Sequence, residues 1–185
     1  SVKQGVGGRG CRSSDDTALS TVAFERSEGW RVSTLRSGRE SRHFGREAAL
    51  QLFYQREIGG LSGSSVDEAE RCYWLEHPAG ENRKRFAGDL LKGTFGALDR
   101  IDALIEAATD NWRLSRMAVV DRIVLRVAVY ELLAAEAPAA VVINEAVELA
   151  KTFGDEQSPR FINGVLDAVK RRLELAKREW PKDTE

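Results

Sequence analysis

The feature that most constrains the fold is one run, Ile123-Val124-Leu125-Arg126-Val127-Ala128-Val129-Tyr130-Glu131-Leu132-Leu133, apolar nearly all round and interrupted only by Arg126 and Glu131. A helix of this kind has no stripe to show to water, so it belongs at the centre of a bundle. Its β-branched residues would also suit a strand, but its length and its Ala- and Leu-rich end favour helix. The run predicts a helix from about Arg116 to Ala135, with Ser115 as its N-cap. A chain built on such a helix must supply others to cover it.

The flanking sequence supplies them. Ala48, Ala49, Leu52 and Phe53 recur at helical spacing and predict a first helix from about Arg39 to Glu57, ended by Gly59-Gly60. A Gly/Ser linker leads to a short helix over Asp67 to Glu76, broken by His77-Pro78-Ala79-Gly80. Phe86, Leu90, Leu91, Phe95, Leu98, Ile101 and Ile105 then predict one long helix from Glu81 to Ala108. Pro138 opens a fifth helix to Phe153, stopped by Gly154 in the left-handed region. Ser158 as N-cap and Pro159 at the first helical position open a sixth, to about Arg178, with Ile162, Val165, Leu166, Val169 and Leu173 facing inward. Six helices with no βαβ alternation give an all-α fold.

At 185 residues the chain suits one domain, over 39–180, and residues 1–38 are Gly-, Ser- and Arg-rich without an apolar period, which predicts a disordered extension. No run of about 18 apolar residues predicts a membrane span, and no apolar stretch behind a basic start predicts a secretory signal. Cys11 and Cys72 lie far apart without a CxxC partner and are expected to be free thiols in a reducing compartment. The net charge of −1 argues against a strong stand-alone nucleic-acid binder. Basic surface is local: Arg160, Lys170, Arg171, Arg172, Lys177 and Arg178 outnumber Asp167 and Glu174.

Catalysis finds little support. Gly5-Val6-Gly7-Gly8-Arg9-Gly10 fits GxGxxG but lacks the preceding strand and following helix that a phosphate site needs. His43 and His77 have no metal-ligand or triad partners at defined spacing. Glu145 and Glu148 share a helix face without a histidine, which reads as a solvated face. The expectation is a protein that acts by binding, with no cofactor and no metal.

Three segments carry a family resemblance. Ile143-Asn144-Glu145-Ala146-Val147-Glu148-Leu149-Ala150-Lys151-Thr152-Phe153-Gly154 is followed by Ser158-Pro159-Arg160-Phe161-Ile162-Asn163-Gly164-Val165-Leu166-Asp167. Arg122-Ile123-Val124-Leu125-Arg126-Val127-Ala128-Val129-Tyr130-Glu131-Leu132 and Arg46-Glu47-Ala48-Ala49-Leu50-Gln51-Leu52-Phe53-Tyr54 agree in order and spacing. Together they resemble the signatures of the NusB family of transcription antitermination factors, over about Arg39 to Leu173. The resemblance implies two antiparallel three-helix bundles, about 39–110 and 112–178. It also implies a cytoplasmic protein that binds single-stranded boxA RNA of ribosomal RNA operon transcripts with the ribosomal protein NusE. With NusA and NusG, such proteins keep RNA polymerase resistant to termination.

Candidate contacts follow from that resemblance and from the residues themselves. Phe161 lies beside the inward stripe at a helix start, next to Arg160, which suits base stacking with a phosphate contact. Arg39, Arg42 and Arg46 share one arc of the first helix; alone, such a run reads as a solvated face. The resemblance turns these arginines, Tyr54, Gln157, Ser158 and Phe161 toward RNA, and Glu131 toward the ribosomal protein. Two departures from the family pattern bear on affinity: the basic arm is sparse, with Gly45 weakening its helix by about 1 kcal/mol, and Gln157 stands where an acid is common. Two other readings stay open, an RNA-binding module of a ribosomal RNA methyltransferase and a protein-interaction module such as a homodimer.

Overall fold

The computed structural model describes residues 38–58, 66–109 and 113–179, and among them every regular element is helical. The helices are α1 (Gly38–Ile58), α2 (Val66–Glu76), α3 (Glu81–Gly96), α4 (Leu98–Ala108), α5 (Val119–Ala134), α6 (Ala139–Phe153) and α7 (Ser158–Glu179), with one 3-10 turn over Leu114–Arg116. The expected disorder of the N-terminal extension and the Gly/Ser linker fall outside the described residues.

The apolar run forms α5, and α5 is the hub: it packs against α1, α3, α4, α6 and α7. Ile123, Leu125 and Val129 are fully buried, as are Phe53 of α1, Ile101 and Ile105 of α4, and Ile162 and Leu166 of α7. Burying each such side chain contributes roughly 1.5–3 kcal/mol. The two charges of the run stay because both are paired: Arg126 forks to Asp102 of α4, with Nε–Oδ1 and Nη2–Oδ2 both 2.8 Å, and also reaches Glu57 of α1. Burial pulls the Arg126 guanidinium toward losing its proton, but the Asp102 and Glu57 carboxylates outweigh it and raise its affinity for that proton. Arg122 binds the other oxygen of Glu57 at 2.9 Å.

Several local expectations are corrected. The long third helix is two, α3 and α4, because Ala97 leaves helical geometry (φ −118°, ψ 13°) and its N–H turns back to Thr94 at 3.2 Å. Gly93 and Gly96 weaken that last turn, and Gly93 is required there: a Cβ would lie 2.1 Å from the Tyr130 ring of α5. Ser115 lies within the 3-10 turn, and α5 begins after Ala118 without a side-chain cap. The left-handed residue is Ala135, at the end of α5, whereas Gly154 is extended. Gly154 serves close approach instead, since a Cβ there would lie 2.6 Å from the Ser158 side chain. Cys72 is in a disulfide rather than free, and Cys11 lies outside the described residues.

Candidate nucleic-acid interface

The turn between α6 and α7 is built around Asp155. Its carboxylate accepts from the backbone N–H of Gln157 at 2.8 Å, the N–H of Ser158 at 2.9 Å and the Ser158 hydroxyl at 3.1 Å. The Asp155 N–H lies 3.0 Å from the Ser158 Oγ, so the two residues clasp each other. Three bonds to the charged form hold the Asp155 carboxyl below its usual range. Asp121, in the first turn of α5, is buried beside this turn with Oδ1 lacking a hydrogen-bond partner. Burial pushes its carboxyl above the usual range; the Ser158 hydroxyl opposes this and the Asp155 charge adds to it.

This clasp fixes the start of α7 so that Gln157 and Arg160 are exposed and Phe161 is half-buried against the core. Ser158 itself is 1 % exposed and faces inward. It is a positioning residue, and the expectation that it touches RNA is corrected. Sequence reading placed a helix start at Ser158 but missed Asp155, whose D-x-x-S spacing to Ser158 was the signal for reciprocal capping.

The second group of candidates lies on α1. Arg42 is exposed, with its guanidinium 5.4 Å from the centre of the Phe86 ring of α3, and Tyr54 is exposed farther along the helix. The Arg39 backbone is helical, and its side chain is outside what the structure describes. Arg46 and Glu131 are not surface groups. Arg46 is 3 % exposed and Glu131 8 %, and they bind each other through Nε–Oε2 at 2.8 Å and Nη2–Oε1 at 2.7 Å. The Arg46 Nη1 also lies 3.5 Å from Glu145 of α6, to which His43 Nδ1 approaches at 2.9 Å. Neither a phosphate nor a partner protein can reach these groups as placed, which corrects both expectations. Glu145 likewise is buried, not on the solvated face expected for it.

Gly45, read as a weakness of the helix, is where Phe86 packs on α1: a Cβ would lie 2.6 Å from the ring. Arg83 of α3 stacks over Phe44 at 5.0 Å, and burial pushes the nearby Glu47 carboxyl up, although His43 and Arg83 pull it back. The α1 and α7 groups are joined through α5 and α6, which pack against each other and against α7.

The described residues form a small all-helical domain whose last helix starts with an exposed arginine beside a partly buried phenylalanine. Residues 44–171 match the model of the NusB family, and the chain belongs to that family. The transcription antitermination protein NusB of Sorangium cellulosum is 43 % identical over 134 residues, spanning 72 % of this chain and 94 % of that protein. Its counterpart from Geobacter sulfurreducens is 42 % identical over 130 residues, spanning 70 % and 93 %. Among solved structures, T. maritima NusB superposes with a TM-score of 0.64 at 34 % identity, covering 70 % of this chain and 90 % of that one. A crystal structure of antitermination factors NusB and NusE in complex with dsRNA gives a TM-score of 0.64 at 25 % identity, covering 72 % and 98 %.

Proposed function

We propose that this chain is a transcription antitermination factor. It binds single-stranded boxA-type RNA jointly with the ribosomal protein NusE, and acts with RNA polymerase, NusA and NusG in the cytoplasm. It works by binding and turns over no substrate. The observation that carries the reading is the α7 corner, where a side-chain clasp holds Arg160 and Gln157 in solvent beside a partly buried Phe161. Single-stranded RNA is recognised by stacking on aromatic rings with cations on its phosphates. A chain of net charge −1 gains affinity when a basic partner shares the strand. Arg39, Arg42 and Tyr54 extend the RNA path onto α1, while Arg46, Glu131 and Ser158 hold the helices that present it. The division into two bundles is part of the same proposal, with α1 to α4 over about 39–110, one helix more than expected, and α5 to α7 over about 112–178.

The test is an anisotropy titration of labelled boxA RNA with and without the ribosomal partner. Phe161→Ala should weaken binding by about 1–3 kcal/mol, the worth of one stacked base, while the helical circular-dichroism signal is kept. Unchanged affinity on that variant and on Arg160→Ala removes the α7 corner from the site.

A further inference from the structure

Gly164 lies within α7, two turns from its start, and a Cβ built on it meets no atom within 4 Å. Packing accounts for the other glycines inside helices: Gly45 meets Phe86, Gly88 meets Glu70 and Gly93 meets Tyr130. Gly80 and Gly96 also have open space, but they stand at helix ends, where glycine is at home. Glycine inside an exposed helix is a poorer choice than alanine, and nothing among the described residues calls for it at Gly164. The open space leaves room there for the close approach of a partner.

The neighbours on that face say what. At 100° per residue, Arg160, Phe161, Ala168 and Arg171 fall on the same side of α7 as Gly164. Arg160 and Arg171 are exposed and make no ion pair among the described residues. Asp167 falls on the same side, between Arg160 and Arg171 along the axis, and receives a hydrogen bond from Asn163 at 3.2 Å. The face is thus open at Gly164, with Ala168 beside it, and flanked along the axis by two guanidinium groups, with the Asp167 carboxylate between them already engaged by Asn163. We infer that the sugar-phosphate backbone of single-stranded RNA crosses α7 at Gly164, between Arg160 and Arg171.

This inference rests on the RNA reading above and adds two residues to it, Gly164 as the point of closest approach and Arg171 as a phosphate contact. A guanidinium on either side of a bare helix surface suits a chain of phosphates, because arginine grips phosphate oxygens in a planar fork.

The experiment uses the full chain, a fluorescein-labelled boxA RNA of about 12 nucleotides, the ribosomal partner, and thermal melts of each variant. Gly164→Ala should melt higher by about 2–4 °C, since alanine is the better helix former and the space is open. The same variant should lose roughly fivefold or more in RNA affinity, because its methyl group holds the strand off the helix. Arg171→Ala should weaken RNA binding and flatten the logarithmic salt dependence by about 0.7, one phosphate contact on a single strand. Gly164→Ala that melts higher and binds RNA as before overturns the inference. So does a loss confined to partner binding without RNA, which would assign the face to protein. A lower melt would overturn the premise of open space. No RNA binding by the unmodified chain, with partner present, would remove the RNA reading itself and this inference with it.

Discussion

Arg46 of α1 and Glu131 of α5, 85 positions apart, form a two-pronged ion pair shielded from water, and Glu145 of α6 closes its other side. Removing one member leaves an uncompensated buried charge. Arg46→Ala should therefore destabilise the fold by about 3–5 kcal/mol in urea unfolding. Arg46→Met with Glu131→Leu should recover much of that. A single Arg46→Ala that unfolds like the unmodified chain would return Arg46 to the surface role its sequence position suggests.

Gly93 of α3 lets α5 approach until the Tyr130 ring occupies the volume of its absent side chain. Gly93→Ala should cost about 1–3 kcal/mol through forced separation of the helices. Tyr130→Ala added to it should relieve the clash, so the two changes together should be less harmful than their sum in a double-mutant cycle.

The turn before α7 should give opposite pH responses at its two aspartates. The Asp155 carboxyl is held below its usual range when folded, so it stabilises above the ordinary carboxylate range and that contribution fades as pH falls through the folded value. Asp155→Ala should then lower the melting temperature at pH 7, with the gap closing in acid. Asp121 is raised when folded, so its contribution is present in acid and lost as pH rises through its folded value. Asp121→Asn should raise the melting temperature at pH 7 and do nothing in acid. Parallel pH profiles for the two variants would contradict this assignment.

Arg126 serves Asp102 and Glu57 with one planar fork. Lysine keeps the charge but offers a single point donor, so Arg126→Lys should still lose about 1–3 kcal/mol. A lysine variant as stable as the parent, by denaturant midpoint, would mean that charge alone matters there.

How much of this was legible in the sequence depended on the range of each signal. The centrality of α5 was, because an all-round apolar helix has one solution. The start of α7 was located by Ser158-Pro159, though the acceptor that caps it is Asp155. The break at Ala97 was hidden, because alanine is the best helix former and the apolar stripe runs through it; the close approach of Gly93 to Tyr130, 37 positions on, was hidden as well. Arg46 looked like part of a solvated arc because its partner is set by tertiary packing, which no local pattern records. Gly45 was misread for the same reason, its partner being the Phe86 ring.

The position of α5 in the chain has a consequence for synthesis. Of the helices made before it, α1 and α3 pack chiefly on each other, but both of them, and α4 above all, also present apolar surface to α5, which has not yet been translated. Chains emerge and fold from the N-terminus, so the first half of this one waits, with Ile101 and Ile105 of α4 incompletely covered, until Val119–Ala134 clears the ribosome. A nascent chain stalled before Val119 should be readily cut by protease, and one stalled well past Ala134 should begin to resist.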